Sequence, residues 1–437
     1  MLKAGTSITD ISPEKGIELA GYPHFPRHNT GINDPLYASC LFLDNGKEKL
    51  AVIALDILFY SRKYVKEVRK RIQEETSVPG SNIFISVSHT HSGPWAAGRL
   101  DLEALEKGMD VDEVYVSRLN DKIVRLAVEA FSNTFDAGLG SGFVMCGKEK
   151  GIGGNRRDPQ GPADPKLWTI AVKDRDDVLR AVMLKYALHP TVIHEDSTLV
   201  TADYPGYTRE YLKEQEPEMN LLFQQGTSGD QSTRYFRQGQ DFEEAKRIGY
   251  TIGKCALSSI KGLDFEYEID LGSVSQEVEL PLKDLPAEEE ARAAAQAARA
   301  EWERLKKQGA PYLDVQNANL KNLGAENTLG YVRLKDRGAT ISLAEDELPA
   351  EVQVLTIGGA RVVGIPGEVF VEFGLEIQER SPYEKTIVVE LANGCLPGYV
   401  CTADATREGG YEVGASMLSE KAGEVLVETA LALLNKS

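Results

Sequence analysis

The chain has 437 residues, 42% of them hydrophobic, and carries 67 acidic against 49 basic side chains for a formal charge of −18. A chain of this length can bury a large core, and its acidity disfavours nucleic acid or anionic membrane as partner and favours chemistry on a small molecule. Five scattered cysteines without a CxxC pair, no apolar leader at the start and no run of about 18 apolar residues point to a reducing, cytoplasmic setting without membrane insertion.

Residues 50–58, LAVIALDIL, form an apolar run containing Asp56, and Ser61 can cap a helix in which Val65, Val68 and Ile72 recur at helical spacing. IFISV follows, so strand, helix and strand make a βαβ unit, in which ligands gather outside the carboxyl ends of the strands. Alternation puts Ile83, Ile85, Val87, His89 and His91 on one face as far as the extended conformation persists. A helix with Leu119, Ile123, Leu126 and Ala130 on one stripe comes next, then strand-like stretches at 137–146 and 167–189 around a polar, Gly-rich loop. Residues 219–224 read as a buried strand leading into QGTSGDQSTR, before a helix at about 242–259. An Ala-, Glu- and Arg-rich segment at 286–308, with Pro286 at a first-turn position, predicts a mostly exposed helix within an insertion at about 284–310. The remainder alternates strands, at 351–365 and 385–394, with helices at 368–379 and 418–435. No repeat or low-complexity linker interrupts the chain, so one domain, 1–437, is expected.

Four of the six histidines fall in two clusters after apolar strands: His89 and His91 in SHTHSGP, His189 and His194 in ALHPTVIH. Neutral imidazoles so placed can share one metal ion, or can simply be hydrogen-bonded at strand ends. Pro190 disfavours a helical conformation at His189.

With these motifs on the page the sequence resembles the neutral ceramidase family of zinc-dependent amidases. The matching pieces run in order along nearly the whole chain: AGTSITDIS, SHTHSGP, NRR at 155–157 with DPKL, ALHPT, GDQS, GIPGE, GYVCT and YEVGAS. The resemblance implies an α/β fold of mixed, partly parallel sheets with flanking helices. It also implies one catalytic Zn²⁺ held by His89, His189, Glu368 and Tyr399, with His91 handling protons and Tyr411 assisting the substrate oxygen. Arg156 takes a position near substrate, suggesting an anionic or hydroxylated group there, and Asp230 joins it as a substrate-side or supporting residue. Glu368 after GIPG also reads as a first-turn acid offsetting a helix dipole. Ser232 aligns with a serine argued to be a nucleophile; without a G-x-S-x-G elbow it reads better as a site wall. Thr233 and Arg234 stand where the family usually has a proline and an asparagine, which implies a different substrate environment. The expected activity is hydrolysis of a linear amide of a small polar or short-acyl substrate by metal-activated water. True ceramide hydrolysis, ester hydrolysis and a non-catalytic ligand-binding role are the alternatives.

Overall fold

The computed structural model describes residues 1–22, 24–97, 111–336 and 347–437. Strands β1 (Lys3–Asp10), β2 (Tyr37–Asp44) and β3 (Lys49–Leu55) form an antiparallel meander. Helix α1 (Arg62–Thr76) returns the chain to β4 (Ile83–Val87), which pairs parallel with β3 from Ala51↔Ile83 to Leu55↔Val87, as the βαβ pattern predicts. Val65, Val68 and Ile72 are the buried stripe of α1. Ser61 occupies the N-cap, but its hydroxyl donates to Glu347, whose other oxygen accepts from Arg62 N at 2.9 Å; a distant carboxylate thus satisfies the helix start.

Helix α2 (Glu113–Ser132) follows, capped by Asp112 accepting from Tyr115 N. Then come β5 (Phe135–Met145), β6 (Lys166–Asp174), β7 (Leu179–Tyr186), α3 (Tyr204–Gln215), β8 (Asn220–Gln225) and α4 (Phe242–Lys261). The stretch at 167–189 is therefore a hairpin, turned at Asp177 with φ 62°. These strands make one eight-stranded sheet in the order β8-β7-β6-β5-β1-β2-β3-β4, antiparallel except for its two edge pairs. The sheet curls until its edges meet: β8 packs against β2, β3 and β4, and Ser86 Oγ donates to Gln224 Oε1 at 2.5 Å.

A second sheet begins with β9 (Leu271–Val278). A helical hairpin, α5 (Glu288–Gln308) and α6 (Tyr312–Asp336), separates it from β10 (Ala350–Ile357), β11 (Ala360–Gly364), the short β12 (Glu368–Val369), α7 (Val371–Arg380), β13 (Lys385–Val389), the short β14 (Tyr399–Val400), the single turn α8 (Tyr411–Gly414) and α9 (Ala422–Leu434). The sheet order is β9-β10-β11-β13, with only β11 and β13 parallel. One apolar core, including Leu41, Phe84, Trp168, Leu222, Leu355 and Ile387, lies between the two sheets. α1 and α2 cover one half of the larger sheet and α3 and α4 the other, while α7 and α9 cover the smaller. Mixed sheets with flanking helices are the expected class.

Two expectations are corrected. Pro286 lies just outside its helix, which starts at Glu288 after Ala287; only Ala291 and Ala295 of α5 are buried. The helical segment, expected to end at about 310, also continues past it: Gly309, with φ 63°, stops α5 and Pro311 leads into α6. Among the described residues no helix is long and apolar enough to cross a membrane.

Candidate active site

Residues 390–393, running on from β13, fill the gap where the curled sheet's edges meet. Glu390 N donates to Gln225 O, Asn393 N to Ile85 O, and Asn393 Oδ1 accepts from Ile85 N. The carboxyl ends of β4, β7, β8, β11 and β13 are thereby drawn to one place. At Val87 the chain leaves the sheet: His89 N donates to Ile57 O at 3.0 Å, and His89 adopts a left-handed backbone with φ 67°. The predicted alternation through His89 and His91 therefore stops at Val87. This conformation costs on the order of 1 kcal/mol for a non-glycine residue. It turns the ring so that Nδ1 donates to Leu58 O at 2.9 Å, with Phe59 edge-on at 5.1 Å.

His189, three residues beyond β7, is oriented likewise, its Nδ1 donating to Ser228 O at 2.8 Å. Since a carbonyl can only accept, both imidazoles carry a proton on Nδ1, and in the neutral form each presents a bare lone pair at Nε2. Those two Nε2 atoms lie 3.0 Å apart, and each is 3.1 Å from Glu368 Oε1. Burial lowers His189 to about 4, so it is neutral near pH 7. Burial alone would raise Glu368, while charge and N–H donation from a facing imidazole hold it well below the usual carboxylate range. With both imidazoles neutral, three acceptors converge in a buried place and need a shared proton or a metal ion between them. That arrangement suits a cation, and nitrogen and oxygen donors suit Zn²⁺.

Glu368 is not the first-turn acid of a helix. It belongs to β12, whose parallel partner residue is Tyr399 in β14, and α7 begins three residues later. Tyr399 stacks 6.5 Å from His189. Burial and Glu368 raise its phenol well above 10, and Arg156, centred 5.5 Å over the ring, opposes them. His91 stands perpendicular to His89 at 5.0 Å, and ligand nitrogens of His89, His91 and His189 all lie within 4.8 Å of one another. Both ring nitrogens of His91 are buried and have no hydrogen-bond partner among the described residues. Burial and the neighbouring imidazoles keep His91 well below its ordinary value. Gly21, at φ 100°, backs it so closely that a Cβ there would come within 2.5 Å of His91 Cβ.

His89, His91, Glu368, Tyr399 and Tyr411 line a cavity of about 130 Å³. Past Tyr399 and Tyr411 it adjoins a second chamber of about 150 Å³ that includes Arg156 and Ser232. Arg156 is fixed by Glu412 (Nε to Oε1, 2.9 Å) and by Gly229 O (2.7 Å). Ser232 Oγ accepts from Arg234 N at 3.2 Å, and among the described residues no imidazole is hydrogen-bonded to it. Asp230 lines neither chamber: its oxygens accept from Asn155 Nδ2 at 2.6 Å and Val371 N at 3.0 Å. It braces the loop under Arg156 rather than meeting a substrate. Asp56 is likewise structural, paired with Arg209 at 2.8 Å. His194 lies in the second chamber, not with the three converging histidines.

Several residues here carry no legible sequence signal. Ser228 and the buried Glu390, 2.6 Å apart, brace the carbonyl that orients His189. Helix α6 roofs both chambers, with Asn327 and Tyr331 over the first. It rests on α8 backbone to backbone: a Cβ on Gly324 would lie 2.5 Å from Gly410 O. Gly324→Ala should therefore push α6 away from Tyr411. Better helix propensity, about 1 kcal/mol, offsets only part of an overpacking cost of about 1–3 kcal/mol, so Tm should fall by at most a few degrees while turnover falls several-fold at unchanged metal content. Full turnover in this variant, measured beside its Tm, would show that the roof does not position Tyr411.

The architecture that carries these residues is a neutral ceramidase-like fold. The structure of neutral ceramidase from Pseudomonas aeruginosa matches all of this chain and 75% of its own, with TM-score 0.74 and 17% identity. A ceramidase complexed with C2 matches with TM-score 0.73 and 16% identity, again over 100% and 75% of the two chains. At these identities the likeness is one of fold. No family model matches the chain.

Proposed function

We propose that the protein is a metal-dependent hydrolase of linear amides, with one Zn²⁺ held by His89, His189, Glu368 and Tyr399. The observation that carries this reading is the meeting of three buried acceptor atoms within 3.1 Å. Cys395 also lines the cavity, and burial and Glu347 push its thiol well above the ordinary range. When bound, the ion would supply an acidified water and polarise the substrate carbonyl.

The chain's own groups do the rest. His91, neutral and without a hydrogen-bond partner among the described residues at either nitrogen, takes a proton at a ring nitrogen and returns it to the leaving amine. Tyr411 donates to the carbonyl oxygen as charge develops there. Arg156, held rigid by Glu412, keeps Tyr399 oriented from above. The apolar faces of Leu58, Phe59, Trp95 and Leu396 limit water in the first cavity. Two small adjoining chambers favour a small polar or short-acyl substrate over a long-chain one.

Elemental analysis of the purified protein, with a panel of N-acyl compounds, tests the reading. His91→Gln should keep near-stoichiometric metal and lower kcat by about 10²–10⁴. Metal loss there equal to that in His89→Ala would instead assign a three-histidine ligand set. Wild-type protein that neither retains zinc nor hydrolyses any amide or ester would leave a binding protein on this fold.

A further inference from the structure

The second chamber holds an unanswered positive charge. Arg156 and Arg157 share Glu412, and Arg157 also reaches Glu408. Arg237 donates to His194 Nε2 at 2.7 Å and His194 Nδ1 donates to Glu195 at 3.2 Å, so the Glu195 charge is relayed to Arg237 through the imidazole. Arg234 remains. Its Nη1 donates to Arg156 O at 3.1 Å; among the described residues no carboxylate pairs with it directly, and Glu412, already shared by Arg156 and Arg157, favours its charge only from farther off. A guanidinium has five N–H donors, so most of this one's are open to the chamber that Arg234 lines. Burial and Arg156 lower it to about 10, still a cation near pH 7. In a chain of formal charge −18, a cationic enclosure beside the reacting atoms is a local arrangement against the overall field.

We infer that this chamber binds a carboxylate at the far end of a small amide substrate, with Arg234 as its principal partner. The inference rests on the amidase reading above and names its substrate class. One unmatched cation calls for one negative charge, which a carboxylate supplies in a shape the guanidinium fork fits. The span is short: Arg234 contacts the Arg156 backbone, Arg156 covers Tyr399, and Tyr399 stacks on His189. Leu320 and Leu323 of the roof helix line the same chamber and can pack the few methylenes between amide and carboxylate. The carboxylate can sit on either half of the amide, as in an N-acyl amino acid or a dicarboxylic acid monoamide.

Calorimetric titration with 5-oxohexanoate tests this without turnover, because the ketone mimics both arrangements and cannot be hydrolysed; 2-hexanone is its neutral counterpart. The acid should bind the wild-type protein at least 10-fold more tightly than the ketone lacking the carboxylate. Arg234→Gln should weaken the acid by about 10- to 100-fold, the usual effect of losing a charged hydrogen-bond partner, and Arg234→Lys should keep part of the preference. Equal binding of the two compounds, no binding of the acid, or a preference surviving in Arg234→Gln overturns the inference. Circular dichroism and Tm establish that each variant is folded. Hydrolysis of N-acetyl-β-alanine and glutaramate then tells the two arrangements apart. Tight acid binding with no turnover of any amide supports the chamber and removes the amidase reading. Neutral amides turned over with the same kcat/KM as the acids remove the carboxylate inference and leave the amidase standing.

Discussion

Glu368→Gln should abolish amide hydrolysis and, at a pH where both facing imidazoles are neutral, raise the Tm of the metal-free protein. In the native side chain an anionic oxygen then lies 3.1 Å from two nitrogen lone pairs, an arrangement relieved by a metal ion or by a proton taken up between them. A glutamine of the same shape can turn its NH₂ toward both nitrogens and replace that repulsion with two hydrogen bonds. At about 1 kcal/mol each, these should raise the midpoint by a few degrees. Added zinc reverses the order, because a ligand at 100 times its Kd stabilises the wild-type fold by about 2.7 kcal/mol while the variant has lost the charge that holds the ion. Two thermal unfolding series, with chelator and with zinc, should therefore cross. A metal-free variant less stable than wild type, or equal zinc stabilisation of both, would mean that the three acceptors are not a cation site.

Tyr411→Phe should lower kcat by about 10²–10³, the usual effect of removing one donor to a developing oxyanion, and leave metal content unchanged. Tyr411 opens α8 directly after Gly410, whose φ of 110° turns the chain so that the ring meets Tyr399 edge-on at 6.1 Å. Burial raises its phenol well above 10, so it stays protonated, and able to donate, across the working pH range. Tyr399→Phe should behave differently. Tyr399 is the strand partner of Glu368, and its loss should weaken zinc affinity, measured by competition with a chelator. If Tyr399→Phe keeps full affinity while Tyr411→Phe loses the metal, the two roles are exchanged.

The parts of this site legible in the sequence are those fixed by local chain geometry. IFISV followed by HTH announces a strand end bearing imidazoles, Pro190 keeps His189 out of a helix, and the helix positions of α1 and α2 follow from apolar spacing. The left-handed turn at His89 is not local in this sense; it is imposed by Ile57 and Leu58 across the strand end. Glu368 reads as a helix start until Tyr399, thirty-one residues on, pairs with it and draws it into a strand. Asp230 looks like a site acid because its two consumers, Asn155 and Val371, come from distant segments. Helix α6 has no single apolar stripe, since its sides face in turn α5, the glycines around α8 and two partly polar chambers. Its role over the site therefore leaves no periodic signature.

The acceptor trio also fixes when the site can come into being. His89 and His189 are 100 residues apart, and Glu368 follows them by 279 and 179. They meet only through residues 390–393, which join the smaller sheet to the edges of the larger one. While the chain is being synthesised, the first sheet can form with both imidazoles in place and no carboxylate yet made. Full affinity for the proposed ion should therefore await synthesis of the chain past Glu368 and Tyr399, so that chains ending before them should hold zinc only weakly.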